Sequence, residues 1–350
     1  MSICFTKWSG LSVGSEFTHV VDVRSPAEFA VDHIPGAVNY PVLSDSERVE
    51  VGTLYKHDPF KARKVGAALI SRNIAAMLEG PFKDMDGSFY PLIYCWRGGQ
   101  RSQSLALVLG QIGFRVSVIE GGYKSYRHEI VSTLESLPSR FELRLLSGLT
   151  GTCKTKILHL MRDRGFQVLD LEGLAKHRGS LLGIDLDCEQ PTQKWFESQL
   201  ATEMMSFDPN TPVWLESESN QVGAIHVPSI LWKQMQEAKV IEVTAPLEER
   251  VNYLLDAYDY FCEQPDFLKE RIGWLKRVCG AEKIQAWFDL IDAGDWAAFV
   301  SDMLETHYDP TYSRSMNRLN DRISQRHNLE SLKSSDLNGF IDLLQMESPN

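Results

Sequence analysis

Apolar and polar positions come in short blocks whose period switches between two and 3.6. HVVDVR (19–24) is a β-branched run ending in charge and predicts a buried strand. PAEFAVDHIPGAVNYP continues it as a helix, a Pro-Gly turn and a returning strand. KARKVGAALISRNIAAMLEG (61–80) spaces its apolar residues along one helical face and stops at glycine. PLIYC (91–95) is a buried-strand run that ends on a cysteine, and SQSLALVLGQIG returns as a helix. RVSVIEGG (115–122) supplies the last strand of this unit, and YKSYRHEIVSTLESLP is a connecting helix stopped at Pro138.

FELRLLSG (141–148) restarts the rhythm as a strand and a Gly-bearing turn, followed by the helix KTKILHLMRDRG and the strand FQVLDLEG. PVWLES (212–217) and KVIEVTAP (239–246) are further strands. From 247 onward the pattern is helical, with Val251, Leu254, Leu255 and Tyr258 at i, i+3, i+4 and i+7. The expected fold class is α/β. Residues 1–138 form a domain with a parallel sheet, and residues 139–350 form a second α/β domain with a helical C-terminal extension.

Length supports the division, because 350 residues exceed what one core comfortably serves. The net charge of −11 argues against a protein that coats nucleic acid non-specifically, while leaving room for a localised basic face. The six cysteines show no CxxC pair and no metal-ligand rhythm with the nine histidines, so they read as individual thiols and no metal centre is assigned. No stretch of eighteen apolar residues and no leader-like opening is present, which points to a cytoplasmic protein without membrane contact.

The first candidate site is the loop after PLIYC. Cys95 is followed by Trp96, Arg97, Gly98, Gly99 and Gln100, with Arg101 and Ser102 opening the next helix. Gly98 and Gly99 can take positive φ, so backbone N–H groups can curl toward one sulfur. The helix N-terminus, Arg97 and Arg101 add positive potential. Such a loop favours a thiolate, which can accept a sulfur or selenium atom and pass it on. A core cysteine needs neither two glycines nor two arginines beside it. Asp22, Arg24 and Glu28 read as scaffold ion pairs, and His33 as a turn residue.

The second site is SGLTGTCKT (147–155), a strand-to-helix turn close to the G-x-x-x-x-G-K-[ST] phosphate loop. Gly148, Gly151, Lys154 and Thr155 are its candidate diphosphate-binding residues, with backbone amides of 149–155 as the cradle. Cys153 stands where the second glycine belongs, and its side chain is expected to crowd that cradle. Asp170 and Glu172 at the end of one strand, and Glu216 and Glu218 at the end of another, are candidates for a metal or its water. His177 and Arg178 are candidates for a phosphate or a flipped base, and Arg250 for a lid arginine.

VDVRSPAEFAVDHIPGAVN and CWRGGQRS resemble the lead segment and active loop of rhodanese domains. With GLTGTCKT, DLEGLAKHRGS, QPTQKWFE, ESESNQVG and HYDP, the chain from about 15 to 315 resembles the tRNA 2-selenouridine synthase family. Two positions depart from the family pattern: Cys153, and Ser217 where an aspartate is expected. The resemblance implies a rhodanese-like domain joined to a P-loop domain. It also implies exchange of sulfur for selenium at a wobble 2-thiouridine of tRNA, with selenophosphate as donor and an S-geranylated intermediate made from geranyl diphosphate. No covalently bound cofactor is implied. Mg²⁺ is a candidate ion, and a selenophosphate-producing enzyme a candidate partner.

Basic clusters that could meet tRNA are Lys154, Lys156, Arg162 and Arg164, then Lys269, Arg271, Lys276 and Arg277 with Phe267 and Trp274 between them, then Arg314, Arg318 and Arg322. Two other readings stand beside the synthase. One is a thiosulfate or persulfide sulfurtransferase; the other is a non-enzymatic chalcogen carrier with a degenerate P-loop.

Overall fold

Two all-parallel five-stranded sheets, built from strand-helix-strand crossovers, account for the alternation of periods. The computed structural model describes residues 3–8, 16–180, 182–183, 188–217, 219–316 and 320–347. The chain forms two compact units: Met1–Glu135 with Pro191–Thr202, and Ser136–Gln190 with Glu203–Asn350. A division at a single boundary therefore leaves out Pro191–Thr202, which returns to the first unit from far along the chain.

In the first unit β1 (Cys4–Thr6), β2 (His19–Asp22), β3 (Val38–Asn39), β4 (Pro91–Tyr94) and β5 (Ser117–Ile119) make one sheet in the order β1-β5-β4-β2-β3. Helices α1 (Pro26–Val31), α2 (Asp45–His57), α3 (Pro59–Glu79), α4 (Gln100–Ile112) and α5 (Gly122–Ser136) alternate with these strands. Val21, Ile93 and Val118 are fully buried, and Ile70, Ile74, Leu105 and Leu109 pack against them from α3 and α4. Ser25 begins α1 with a capping box closed by Glu28, and Pro26 occupies the first turn where no amide is needed.

In the second unit β6 (Leu143–Ser147), β7 (Gln167–Val168), β8 (Val213–Glu216) and β11 (Lys239–Thr244) join a last strand, β12 (Ile323–Asn328), in the order β12-β11-β6-β8-β7. A small antiparallel hairpin, β9 (Gln221–Val222) with β10 (Ile225–His226), lies outside this sheet. The helices are α6 (Lys154–Asp163), α7 (Leu171–Ala175), α8 (Gln193–Met205, whose first residues belong to the first unit), α9 (Ser229–Glu237) and α10 (Leu247–Ala257). A helical block over residues 260–316 and a C-terminal helix, Ser334–Glu347, follow.

Two expectations are corrected here. β12 interrupts the helical C-terminal region and pairs in parallel with β11; its residues alternate half-buried with exposed, as an edge strand's do. FQVLDLEG is a strand only over Gln167–Val168, because Asp170 accepts a hydrogen bond from Gly173 N and starts α7. Among the described residues no helix is long and apolar enough to cross a membrane.

The C-terminal helix belongs to the core of the second unit, with Leu337, Phe340, Ile341 and Leu344 packed beside Ile157, Met161 and Trp214. Phe340→Ala should therefore cost about 3–5 kcal/mol in denaturant unfolding. A cost below about 1 kcal/mol would mean that the helix is only an appendage.

Candidate active site

Cys95 directly follows β4 and is 3% exposed. Its Sγ accepts from Gly99 N at 3.3 Å and from Ser102 Oγ at 3.2 Å. The loop is tied to α5 by backbone: Tyr123 N donates to Cys95 O at 2.8 Å and Lys124 N to Trp96 O at 3.0 Å. Those amides lie in the first helical turn and would otherwise lack partners. The approach needs a residue without a side chain, since a Cβ at Gly122 (φ +58°) would lie 2.2 Å from Cys95 O. Gly98 (φ +64°) is equally constrained, its Cβ position being 2.6 Å from Ile119 O.

The expected ring of amides is thus reduced to one backbone donor and one hydroxyl. Ser102, fully buried, is a site residue that sequence reasoning passed over as a mere helix opener; its place in the first turn after the loop was the available signal. Arg101 does not serve the sulfur freely. Its fork grips Glu28 at 2.5 and 3.3 Å, and although burial pushes the Glu28 carboxyl up, Arg101 holds it below the usual range. Arg97 is exposed and has no carboxylate partner among the described residues, so it is the arginine open to an incoming anion. Trp96, 39% exposed, lies 5.2 Å from the Tyr123 ring, and Gln100 begins α4.

Behind the loop, Arg24 is buried with its fork on Asp22 and one nitrogen on Asp32 O at 2.6 Å. His33 is more than a turn residue: its ring is stacked between Phe29 at 3.7 Å and Trp195 at 4.0 Å.

In the second unit β6 ends in the phosphate-type loop. A Cβ at Gly148 would lie 2.4 Å from Val243 O, and Gly151 (φ +85°) runs against Arg250 O in the same way at 3.0 Å. Cys153 adopts the left-handed conformation (φ 50°) natural to the glycine it replaces, at a cost of roughly 1–2 kcal/mol. Its thiol is 3% exposed and packed with Leu146, Ile157 and Met161, and burial pushes its pKa up to about 11. The side chain therefore fills core rather than crowding the cradle, which corrects that expectation.

Lys154 Nζ donates back to Gly148 O at 3.1 Å. Thr155 Oγ1 donates to Glu216 at 2.5 Å and lies 3.4 Å from Glu172, both carboxylates being buried. These hard oxygens suit Mg²⁺ held by one or two carboxylates and substrate phosphates. Among the described residues no group of three or more His, Cys, Asp or Glu forms a metal cage. Asp170 is not part of this cluster: it caps α7 and accepts from His159 Nε2 at 2.7 Å. Glu218 lies outside the described residues.

His177 is half-buried, its Nδ1 has no partner among the described residues, and burial lowers its pKa. Arg178 donates to Ala257 O at 2.8 Å and stacks over the Tyr258 ring at 4.7 Å. Arg250 is no free lid: Nε donates to Thr150 O at 2.8 Å and its fork binds Asp309 at 2.6 and 3.0 Å, bracing the loop from outside the cradle. An apolar cleft of about 80 Å³ opens beside that loop. Thr150, Leu254, Leu255, Phe261, Trp296 and Phe299 are among its lining.

Several cations proposed for RNA are engaged internally. Arg162 binds Glu203, Arg164 binds Asp342, Lys269 binds Asp292, and Arg322 donates to Met235 O and Ala238 O. Arg271 lies between the rings of Phe267 and Trp274, at 4.9 and 4.4 Å, while Lys276 and Arg277 are exposed. The Arg314 side chain and Arg318 fall outside the described residues.

A thiol loop of this build on one parallel sheet and a phosphate-type loop on another define a rhodanese-like module joined to a P-loop module. The rhodanese-like domain family matches residues 11–129, and the tRNA 2-selenouridine synthase AAA domain matches residues 141–273. The chain is 31% identical to the tRNA 2-selenouridine synthase of Shewanella denitrificans over 336 residues, spanning 87% of this chain and 90% of that one. To that of Sulfurovum sp. it is 30% identical, spanning 91% and 94%. To that of Nitrosomonas europaea it is 34% identical over 261 residues, spanning 73% and 66%. The chain belongs to the tRNA 2-selenouridine synthase family.

Ser102→Ala removes one of two donors to the Cys95 sulfur. A hydrogen bond to a charged group contributes about 1.5–3 kcal/mol. Alkylation of Cys95 at a fixed pH, followed by peptide mass spectrometry, should therefore slow by about tenfold or more in Ser102→Ala. An unchanged rate would remove the hydroxyl from the site. Gly122→Ala should separately cost more than about 1–3 kcal/mol in stability, because left-handed backbone and a carbonyl clash coincide there.

Proposed function

We propose that this chain replaces the sulfur of a wobble 2-thiouridine in tRNA with selenium, in the cytoplasm, using selenophosphate and passing through an S-geranylated base made from geranyl diphosphate. Family membership supports the tRNA and selenium halves. One observation carries the prenyl half: Thr150 belongs both to the phosphate-type loop and to the apolar cleft. A prenyl diphosphate needs those two environments side by side, amides and Lys154 for the anion and a dry wall for the chain.

In the first step the thiouridine sulfur forms a bond to the geranyl C1 as the C1–O bond breaks and diphosphate leaves toward Lys154 and the loop amides. Mg²⁺, held by Thr155 with Glu216 or Glu172, would supply further neutralisation of the diphosphate. In the second, selenium adds at C2 of the base and geranylthiolate leaves with the electrons of the C2–S bond. Alkylated sulfur is the better leaving group, which is the reason for prenylation.

Selenophosphate carries selenium at the selenide level, so the exchange needs no oxidant. Cys95 fits a redox-neutral opening of the donor: its thiolate forms an S–P bond as P–Se breaks, selenide departs, and water later restores the thiolate and releases phosphate. A perselenide is two electrons more oxidised. Persulfide carriage instead suits thiosulfate, from which sulfite leaves, and this distinguishes the sulfurtransferase reading.

The test is to incubate the protein with 2-thiouridine tRNA, selenophosphate and geranyl diphosphate and weigh the digested nucleosides. Wild type should yield 2-selenouridine, and Cys95→Ala should stop at the geranylated base. Lys154→Ala should lose both products by about a hundredfold or more. Unmodified tRNA together with persulfide loading of Cys95 from thiosulfate would replace this reading with the sulfurtransferase.

A further inference from the structure

An open groove of about 680 Å³ runs among α2, α3 and α4 of the first unit, and nothing in the chemistry above uses it. Arg48, Lys56, Arg63 and Arg101 line it, and no carboxylate does. Leu43, Val51, Ile70 and Leu107 line it as well, and in a chain of net charge −11 an apolar groove bordered by cations and free of acids departs from the average surface. Glu28 fixes two of these cations from outside the lining, reaching Arg101 at 2.5 Å and Arg48 at 3.6 Å. Lys56 and Arg63 are exposed and have no carboxylate partner among the described residues.

The groove also carries an exposed ring and side-chain amides. Tyr55 is 53% exposed on its wall, and Gln100 and Gln103 line its other side. Cations for phosphate, an aromatic face for stacking and amides for base edges are together the means by which proteins hold unpaired RNA. The position adds a second reason: Gln100 and Arg101 are both groove lining and the first turn of the helix that closes the Cys95 loop. A base that receives selenide released at Cys95 would bring its neighbours' phosphates past that turn.

We propose that this groove binds the RNA strand adjoining the base that receives the selenide released at Cys95, an assignment that rests on the tRNA reading above. The measurement is the affinity of the full chain for 2-thiouridine tRNA as a function of KCl, for wild type, a Lys56→Glu/Arg63→Glu variant and Tyr55→Ala. Loading of Cys95 from selenophosphate, read as release of selenide, serves as the check on folding.

The double variant should lose at least tenfold in affinity and flatten the plot of log K against log salt by about 1.4, two phosphate contacts at roughly 0.7 each for single strands. Tyr55→Ala should weaken binding about fivefold or more with the slope unchanged. Both should load Cys95 as wild type does. Wild-type-like tRNA affinity and slope in variants that load normally would overturn the groove alone. Normal tRNA binding with lost capture of the selenophosphate-producing enzyme would overturn it in favour of a protein partner. A wild type that does not bind tRNA would defeat the functional reading, and this occupant with it.

Discussion

The thiol site depends on a backbone contact that one methyl group would abolish. The carbonyls of Cys95 and Trp96 take the first free amides of α5, and this is sterically allowed only because residue 122 has no Cβ. The contact is set up by the sheet, in which Ile93 of β4 pairs with Val118 of β5, so both strands end at the same edge. With its carbonyls committed to α5, the loop turns the Gly99 amide and the Ser102 hydroxyl to the sulfur. The second unit repeats the device independently, with Gly148 passing Val243 O too closely for any side chain.

What could be read from the chain was whatever depends on local pattern. Strands of continuous apolar residues, helices of 3.6 period, and loops rich in glycine between them all follow from short-range chemistry, and both sites lie on such loops. What could not be read depends on partners far away in sequence. ISQRHN alternates polar with polar and is a strand only because β11 offers an edge to it. Cys153 looks obstructive in the motif, yet its left-handed backbone turns the thiol into the core. Asp170 reads as the end of a strand because the helix it caps is only five residues long.

QPTQKWFE, which had no physical meaning as a string, gains one from its contacts within the first unit. Thr192 donates to Val31 O, Trp195 stacks on His33, and Glu197 pairs with Arg127. Under these contacts lies a polar pocket: Tyr123 donates to Asp32 at 2.6 Å, while Ser198 and Tyr126 are buried nearby. Burial pushes the Asp32 carboxyl up, so the segment covers a group whose charged form is costly there. The motif is thus a covering strap for the rhodanese-like unit, encoded within the sequence of the other half.

Arginine near these sites positions more than it attracts. Arg24, Arg101 and Arg250 each spend a planar fork on one carboxylate, Asp22, Glu28 and Asp309 respectively. Arg24 and Arg250 also donate to a backbone carbonyl, Asp32 O and Thr150 O. Burying such pairs contributes little net stability, because desolvation offsets the attraction. What the fork supplies is direction, which a lysine of the same charge does not reproduce. Arg97 at the thiol loop and Lys154 at the phosphate-type loop, by contrast, have no carboxylate partner among the described residues. An anion arriving at either loop therefore meets a cation that no carboxylate neutralises, beside backbone braced by arginines that it does not touch.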